Sequence, residues 1–149
     1  LELALGTLAR FRTSVAAAAN GFARRALHES RAHLAARTQG GKPLARHQAL
    51  RFDLAEMDVR LRAAQLLVDE AAELVDTEQD AALAVARAKL FATEAAGWIC
   101  DRAVQLHGGL GVRKGSVVER LYRDVRALRI YEGTSEIQKG IVARELLGD

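Results

Sequence analysis

From Leu50 to Val75 the apolar residues fall in alternating steps of four and three: Leu50, Leu54, Met57, Leu61, Ala64, Val68, Ala71 and Val75. A strand cannot use such spacing, because its side chains alternate faces with period two. On an α-helix the same residues form one stripe. The spacing predicts a long helix over residues 44–75, with Leu54, Met57, Leu61 and Val68 buried. The rest of the chain follows the same period. An alanine-rich helix is expected over residues 3–37, with Leu8, Phe22, Ala26 and Leu27 inside. A third, over 81–106, carries Val85, Ala88, Ala92, Ala95, Ile99, Ala103 and Leu106 on one face. Two shorter helices are expected over 117–130 and 134–147. The breaks are "TQGGKP" (38–43), "DTEQD" (76–80) and "HGGLGVRKG" (107–115), and no strand, repeat or low-complexity tract stands out. Long helices joined by short loops make an all-α, antiparallel up-and-down bundle of the four-helix type, here with a short extra C-terminal helix.

The 149 residues, half of them hydrophobic, suffice for one domain spanning residues 1–149. A single cysteine, Cys100, excludes an internal disulfide and fits a reducing compartment: the cytoplasm, or the mitochondrial matrix in a eukaryote. In its helix it reads as a small buried side chain. No apolar run approaches the ~18 residues of a membrane span. The net charge of +3 comes without a dense basic run interleaved with aromatics, which argues against nucleic-acid binding. Residues 107–131 hold six Lys or Arg against two acids, a balance that suits a phosphate-bearing ligand as well as an ordinary solvated face. The chain begins with leucine, which fits a fragment or a processed product.

Three loops hold residues that could carry chemistry. In "YEGTSEIQ" (131–138) a helix should start near Thr134 or Ser135, where Ser135-x-x-Gln138 has the form of a capping box. Glu132 then lies on a turn before that helix, with Gly133 beside it. A loop glutamate is by default a solvated surface residue, so the rest of the chain must decide its meaning. Paired glycines in "RTQGGKP" (37–43) and "QLHGGLG" (105–111) let backbone N–H groups approach a phosphate, though glycine-rich helix stops are common. Arg37 at a helix end could equally serve the helix dipole. His107 has no second histidine at ligand spacing on its helix, so no metal site is expected. No Ser-His-Asp arrangement can be picked out.

In combination these segments are more specific. "ARTQGGKPLARHQALRFDLAEM", "KLFATEAA", "AVQLHGGLGV", "VERLYRD" and "RIYEGTSEIQKGIVARELL", in this order, resemble the C-terminal domain of the acyl-CoA dehydrogenase family. The resemblance runs from about residue 5 to the end. It implies an FAD enzyme that converts a saturated acyl-CoA to a trans-2-enoyl thioester. Glu132 falls on the family's catalytic base, which takes the α-proton while a hydride leaves the β carbon for flavin N5. Gly133 falls on a substrate-contacting position, and Arg12 on an arginine near the thioester. The resemblance places Thr134, Ser135 and Glu136 beside the flavin and its phosphates, at a helix N-terminus that favours anions. Arg37 matches an arginine reaching the FAD pyrophosphate across a subunit interface, and Gln48 a glutamine nearby. Gln105, Leu106, His107, Gly108 and Gly109 match the loop holding the ADP portion of a neighbouring subunit's FAD. A homodimer or homotetramer and an electron-transfer flavoprotein as acceptor follow from the same resemblance.

The chain departs from the family at Gly40, where an aromatic is usual, and at Ala9, where an aspartate often stands. Some relatives carry the base on the first helix, but the residue at that position is Phe11, which leaves Glu132 as the candidate. The family's N-terminal helical domain and middle β-domain are absent from these residues. Two other readings compete: an acyl-CoA oxidase-like relative, in which oxygen takes the electrons, and a non-catalytic oligomerisation module.

Overall fold

A computed structural model of the chain describes residues 2–148, and side chains from Thr7 onward. It contains α1 (Glu2–Ala36), α2 (Gln48–Asp76), α3 (Ala82–His107), α4 (Val117–Val125) and α5 (Ser135–Leu147). The connections are too short to run back along a helix, so α1, α2 and α3 go up, down and up. The all-α bundle expected from the periodicity is the observed fold. Three expectations change locally. Residues 44–46 form a 3-10 turn ahead of α2 rather than its first turn. Residues 126–129 tighten into a 3-10 turn instead of extending α4. Between α1 and α2, Thr38–Gln39 pairs antiparallel with Lys42–Pro43, a two-residue ladder where no strand was expected. Gly40 and Gly41 close it with φ of 60° and 77°. Positive φ at both central residues is what a type I′ hairpin turn requires, and glycine meets it without a Cβ clash.

The core lies around α3, which packs against each of the other four helices. Its contact with α1 is made largely of alanine. Ala16, Ala19, Ala23 and Ala26 of α1, and Ala88, Ala92, Ala96 and Ala103 of α3, are all essentially buried. Small side chains let the two axes approach closely. Leu34, Met57, Val85, Ile99, Val118 and Val125 fill the space around this seam. Ala26 and Leu27 are buried as expected, whereas Leu8 and Phe22 are half-buried. On α2 the stripe has the expected phase: Met57, Ala64, Val68 and Ala71 are buried. Leu54 and Leu61 are half-buried rather than buried, because they flank the line of contact. No described helix is long and apolar enough to cross a membrane.

Candidate active site

Glu132 and Gly133 form the turn between the 3-10 segment and α5, with φ of 57° and 91°. A non-glycine residue at positive φ is uncommon. Here it is held through its carbonyl and the next. The Glu132 carbonyl accepts from Arg12 Nε at 3.0 Å and from Gln138 Nε2 at 3.3 Å. The Gly133 carbonyl accepts from Lys89 Nζ at 2.5 Å and from the same Gln138 amide at 3.3 Å. A Cβ at Gly133 would stand 2.7 Å from Gln138 Nε2 and 3.3 Å from an Arg12 nitrogen, so the donors close on the glycine itself. Arg12 comes from α1, Lys89 from α3 and Gln138 from α5. The turn is thus fixed by three helices at once.

Charge follows the same geometry. Burial lowers the Arg12 guanidinium below its ordinary value, and the Glu132 charge pulls it back. Burial, then repulsion from Arg12, also lowers Lys89, while Glu132 and Glu94 oppose the shift.

The start of α5 differs in detail from the expected capping box. Thr134, not Ser135, is the cap, its hydroxyl accepting from the Ile137 N–H at 3.4 Å. Ser135 is buried and donates to Glu94 Oε1 at 2.6 Å, and Gln138 is turned to the loop carbonyls. Ser135 thus has a charged acceptor in place of a helix N–H, and the Gln138 amide has two carbonyls in place of the cap. Glu94 also pairs with Arg129 at 2.6 Å, which ties the 3-10 segment and α5 to α3. Glu136 is exposed, and its carboxyl is held below the ordinary range by its own backbone N–H, then by the Thr134 hydroxyl.

A second cluster sits at the other end of the bundle. Arg37, Gln105, Leu106, His107, Gly108 and Gly109 line one groove of about 750 Å³, together with His33, Asp53 and Arg102. The His33 and His107 rings stack there, with centroids 4.2 Å apart. His107 Nδ1 lies 2.8 Å from the Ala103 carbonyl and donates to it, which leaves Nε2 as the other ring nitrogen at the groove. Leu106 lines the groove although its side chain is buried in the core. Arg37, Gln105, Gly108 and Gly109 are exposed at the groove, and the Gly108 N–H already donates to the Gln105 carbonyl. The Arg37 guanidinium and the Gln105 amide are the side-chain donors that suit a phosphate-bearing ligand. Gln48, at the first position of α2, is exposed and does not line this groove.

The two clusters are far apart. Arg12 and Arg37 lie 25 residues apart on and just beyond α1, roughly 37 Å at 1.5 Å per residue. A larger groove of about 940 Å³, between α3 and α4, is lined by Gly111 and by Arg123, Arg126 and Arg129 of the basic 107–131 stretch, and by none of the residues matched to substrate or FAD contacts. Among the described residues no group of three or more His, Cys, Asp or Glu could hold a metal ion. Sequence reasoning missed Lys89, Glu94 and His33.

Residues 1–147 match the family described as acyl-CoA dehydrogenase, C-terminal domain. The chain belongs to the acyl-CoA dehydrogenase family. Within it, the chain is 45% identical over 144 residues to the 3-(aryl)acrylate reductase of Clostridium sporogenes, covering 97% of this chain and 38% of that protein. It is 43% identical over 144 residues to the caffeyl-CoA reductase–Etf complex subunit CarC of Acetobacterium woodii, again 97% of this chain and 38% of the relative. The structure of butyryl-CoA dehydrogenase from Megasphaera elsdenii superposes with a TM-score of 0.96 at 36% identity, over 98% of this chain and 38% of that one. The chain therefore spans well under half the length of the family members it matches.

Proposed function

We infer that this chain is the C-terminal helical domain of an FAD-dependent acyl-CoA dehydrogenase, with Glu132 as the base that takes the α-proton of an acyl-CoA thioester. The observation that carries this reading is the Glu132–Gly133 turn, tied down by Arg12, Lys89 and Gln138 through its carbonyls. Since those donors hold the backbone, the Glu132 side chain is left to meet a ligand. A carboxylate is a weak base in water, and it works here when substrate expels water and acidifies the α-proton through its thioester oxygen. Gly133, at a φ of 91° and without a Cβ, lets Gln138 and Arg12 close on the turn beside the base. Arg12 lies one hydrogen bond from the base's own carbonyl.

FAD, when bound, accepts the hydride that leaves the β carbon. Thr134, Ser135 and Glu136 would lie beside its flavin end, and Arg37, Gln48 and Gln105–Gly109 would hold its pyrophosphate and ADP. The roughly 37 Å between the clusters exceeds what one such dinucleotide reaches. This supports a cross-subunit arrangement in which the Arg37 groove serves the FAD of a second copy, in a homodimer or homotetramer. An exposed apolar ridge on α2 (Phe52, Val59 and Leu66, seven residues apart) supports assembly as well. An electron-transfer flavoprotein is the proposed electron acceptor, in keeping with the Etf complex to which one relative belongs. Two relatives are named reductases, and the same residues suit both directions. Run in reverse, protonated Glu132 returns its proton to the α carbon.

The test is rapid-mixing flavin reduction by a saturating acyl-CoA in the complete enzyme, comparing wild type with Glu132→Gln. Loss of a general base slows reduction by ~10²–10⁴-fold. FAD content should stay the same, because glutamine keeps the shape and the backbone N–H. Reduction at the wild-type rate, or a variant that has lost its FAD, would overturn the assignment.

A further inference from the structure

Lys89 is 0% exposed, in the middle of the α3 core face, and its ammonium donates to the Gly133 carbonyl. Lysine is almost never fully buried without a partner of opposite charge. No carboxylate lies within ion-pair distance of Lys89 among the described residues. Among the described residues the ammonium's hydrogen-bond partner is the Gly133 carbonyl, so its contribution falls on the Glu132 turn. A residue at positive φ persists only where its surroundings over-determine it, and Lys89 supplies the shortest of the four contacts that do so here.

The peptide group is planar, with C=O and N–H on opposite edges. Pulling the Glu132 and Gly133 carbonyls toward Arg12, Lys89 and Gln138 therefore turns the Gly133 and Thr134 N–H groups the other way. It also fixes the direction in which the Glu132 side chain leaves the turn. We propose that Lys89 is a positioning residue: held from beneath by α3, the Glu132–Gly133 turn presents the Glu132 carboxylate to the acyl-CoA α carbon in one fixed geometry. This rests on Glu132 as the base. Lys89 touches neither substrate nor cofactor, and it acts through the Gly133 carbonyl alone. The Glu132 charge in turn opposes the lowering of Lys89 basicity, so the two groups sense each other.

Lys89→Met keeps the volume and removes the donor. In the complete enzyme, flavin reduction at saturating acyl-CoA should slow by about 10²-fold, the cost of misplacing a reacting group by about 1 Å. FAD content and acyl-CoA affinity should not change. In this chain without cofactor, amide exchange measured by mass spectrometry should accelerate in the peptide covering residues 131–136, and not along the rest of α3. Lys89→Ala should be slow as well, and n-propylamine, which replaces the deleted atoms, should restore part of the rate. Lys89→Met reducing flavin at the wild-type rate, beside an inactive Glu132→Gln, would overturn the role of Lys89 and leave the base intact. Lys89→Met that fails to fold, together with Lys89→Ala that propylamine does not rescue, would make Lys89 a packing residue and overturn the proposal. Glu132→Gln reducing flavin normally would instead remove the reading on which it rests.

Discussion

α2 and α3 are of similar length, and each shows an apolar stripe in the sequence, yet they do different work. α2 buries only Met57, Ala64, Val68 and Ala71, and it leaves Phe52, Val59 and Leu66 more than half exposed. α3 buries residues on several faces, among them Lys89, Thr93 and Cys100. The clean four-three rhythm thus marks the helix with one neighbouring face. The helix at the centre has a blurred rhythm, because almost every side of it is covered. α3 also carries Lys89, one of the donors to the Glu132 turn, and Glu94, which accepts from Ser135 at the start of α5. Its Cys100 shows how closed the interior is, since burial pushes the thiol up to about 12.

Truncation separates the two helices most sharply. Ile99→Ala, at a fully buried site on α3, should cost about 2–5 kcal/mol in urea unfolding. Leu61→Ala, half-buried on α2, should cost about 1 kcal/mol. Equal losses would mean that α2 is as central as α3. A smaller effect is expected on the outer ridge. Phe52→Ser with Val59→Ser should change the stability of the monomer by less than about 0.5 kcal/mol. The same pair should weaken self-association of the complete protein in light scattering. An unaltered oligomer would show that the ridge is not part of the contact.

The smallest effect lies at the far end of α3, where His107 stacks on His33. Burial first, then the charges of His107 and Arg37, depress His33 below its ordinary 6.5. The unfolded chain therefore takes up this proton more readily than the folded one. The His33 contribution is fully present above pH 6.5 and is lost progressively as the pH falls below it. His33→Phe keeps a ring on His107 and removes the titration. Its urea midpoint should fall less than that of wild type between pH 7.5 and pH 5.5. An identical fall in both would show that His33 does not contribute.

Helix positions and breaks were legible because they depend on period and on glycine or proline, both of which are local. Glu132, Arg37 and the Gln105–Gly109 loop are proposed through the family resemblance, and the structure gathers the last two into one groove. The support beneath the turn was not legible. Lys89 lies four residues after Val85 and three before Ala92, on the buried face itself. That placement was the available signal, but a lysine among apolar residues reads as one that reaches outward to water. Only the fold shows a carbonyl waiting for it. The cap at Thr134 was off by one for a similar reason. Ser135 and Gln138 are drawn away by groups distant in sequence, Glu94 and the turn carbonyls.

The contacts that hold the Glu132 turn are all made to backbone oxygen, none of them to the Glu132 side chain. Architecture and chemistry at this position are therefore separable by mutation. A chain of this kind can lose its carboxylate in one nucleotide change and keep the loop, the glycine beside it and the surrounding shell. If Glu132 is the base proposed above, such a descendant would be a folded thioester-binding scaffold without turnover, and a starting point for installing a different reactive group.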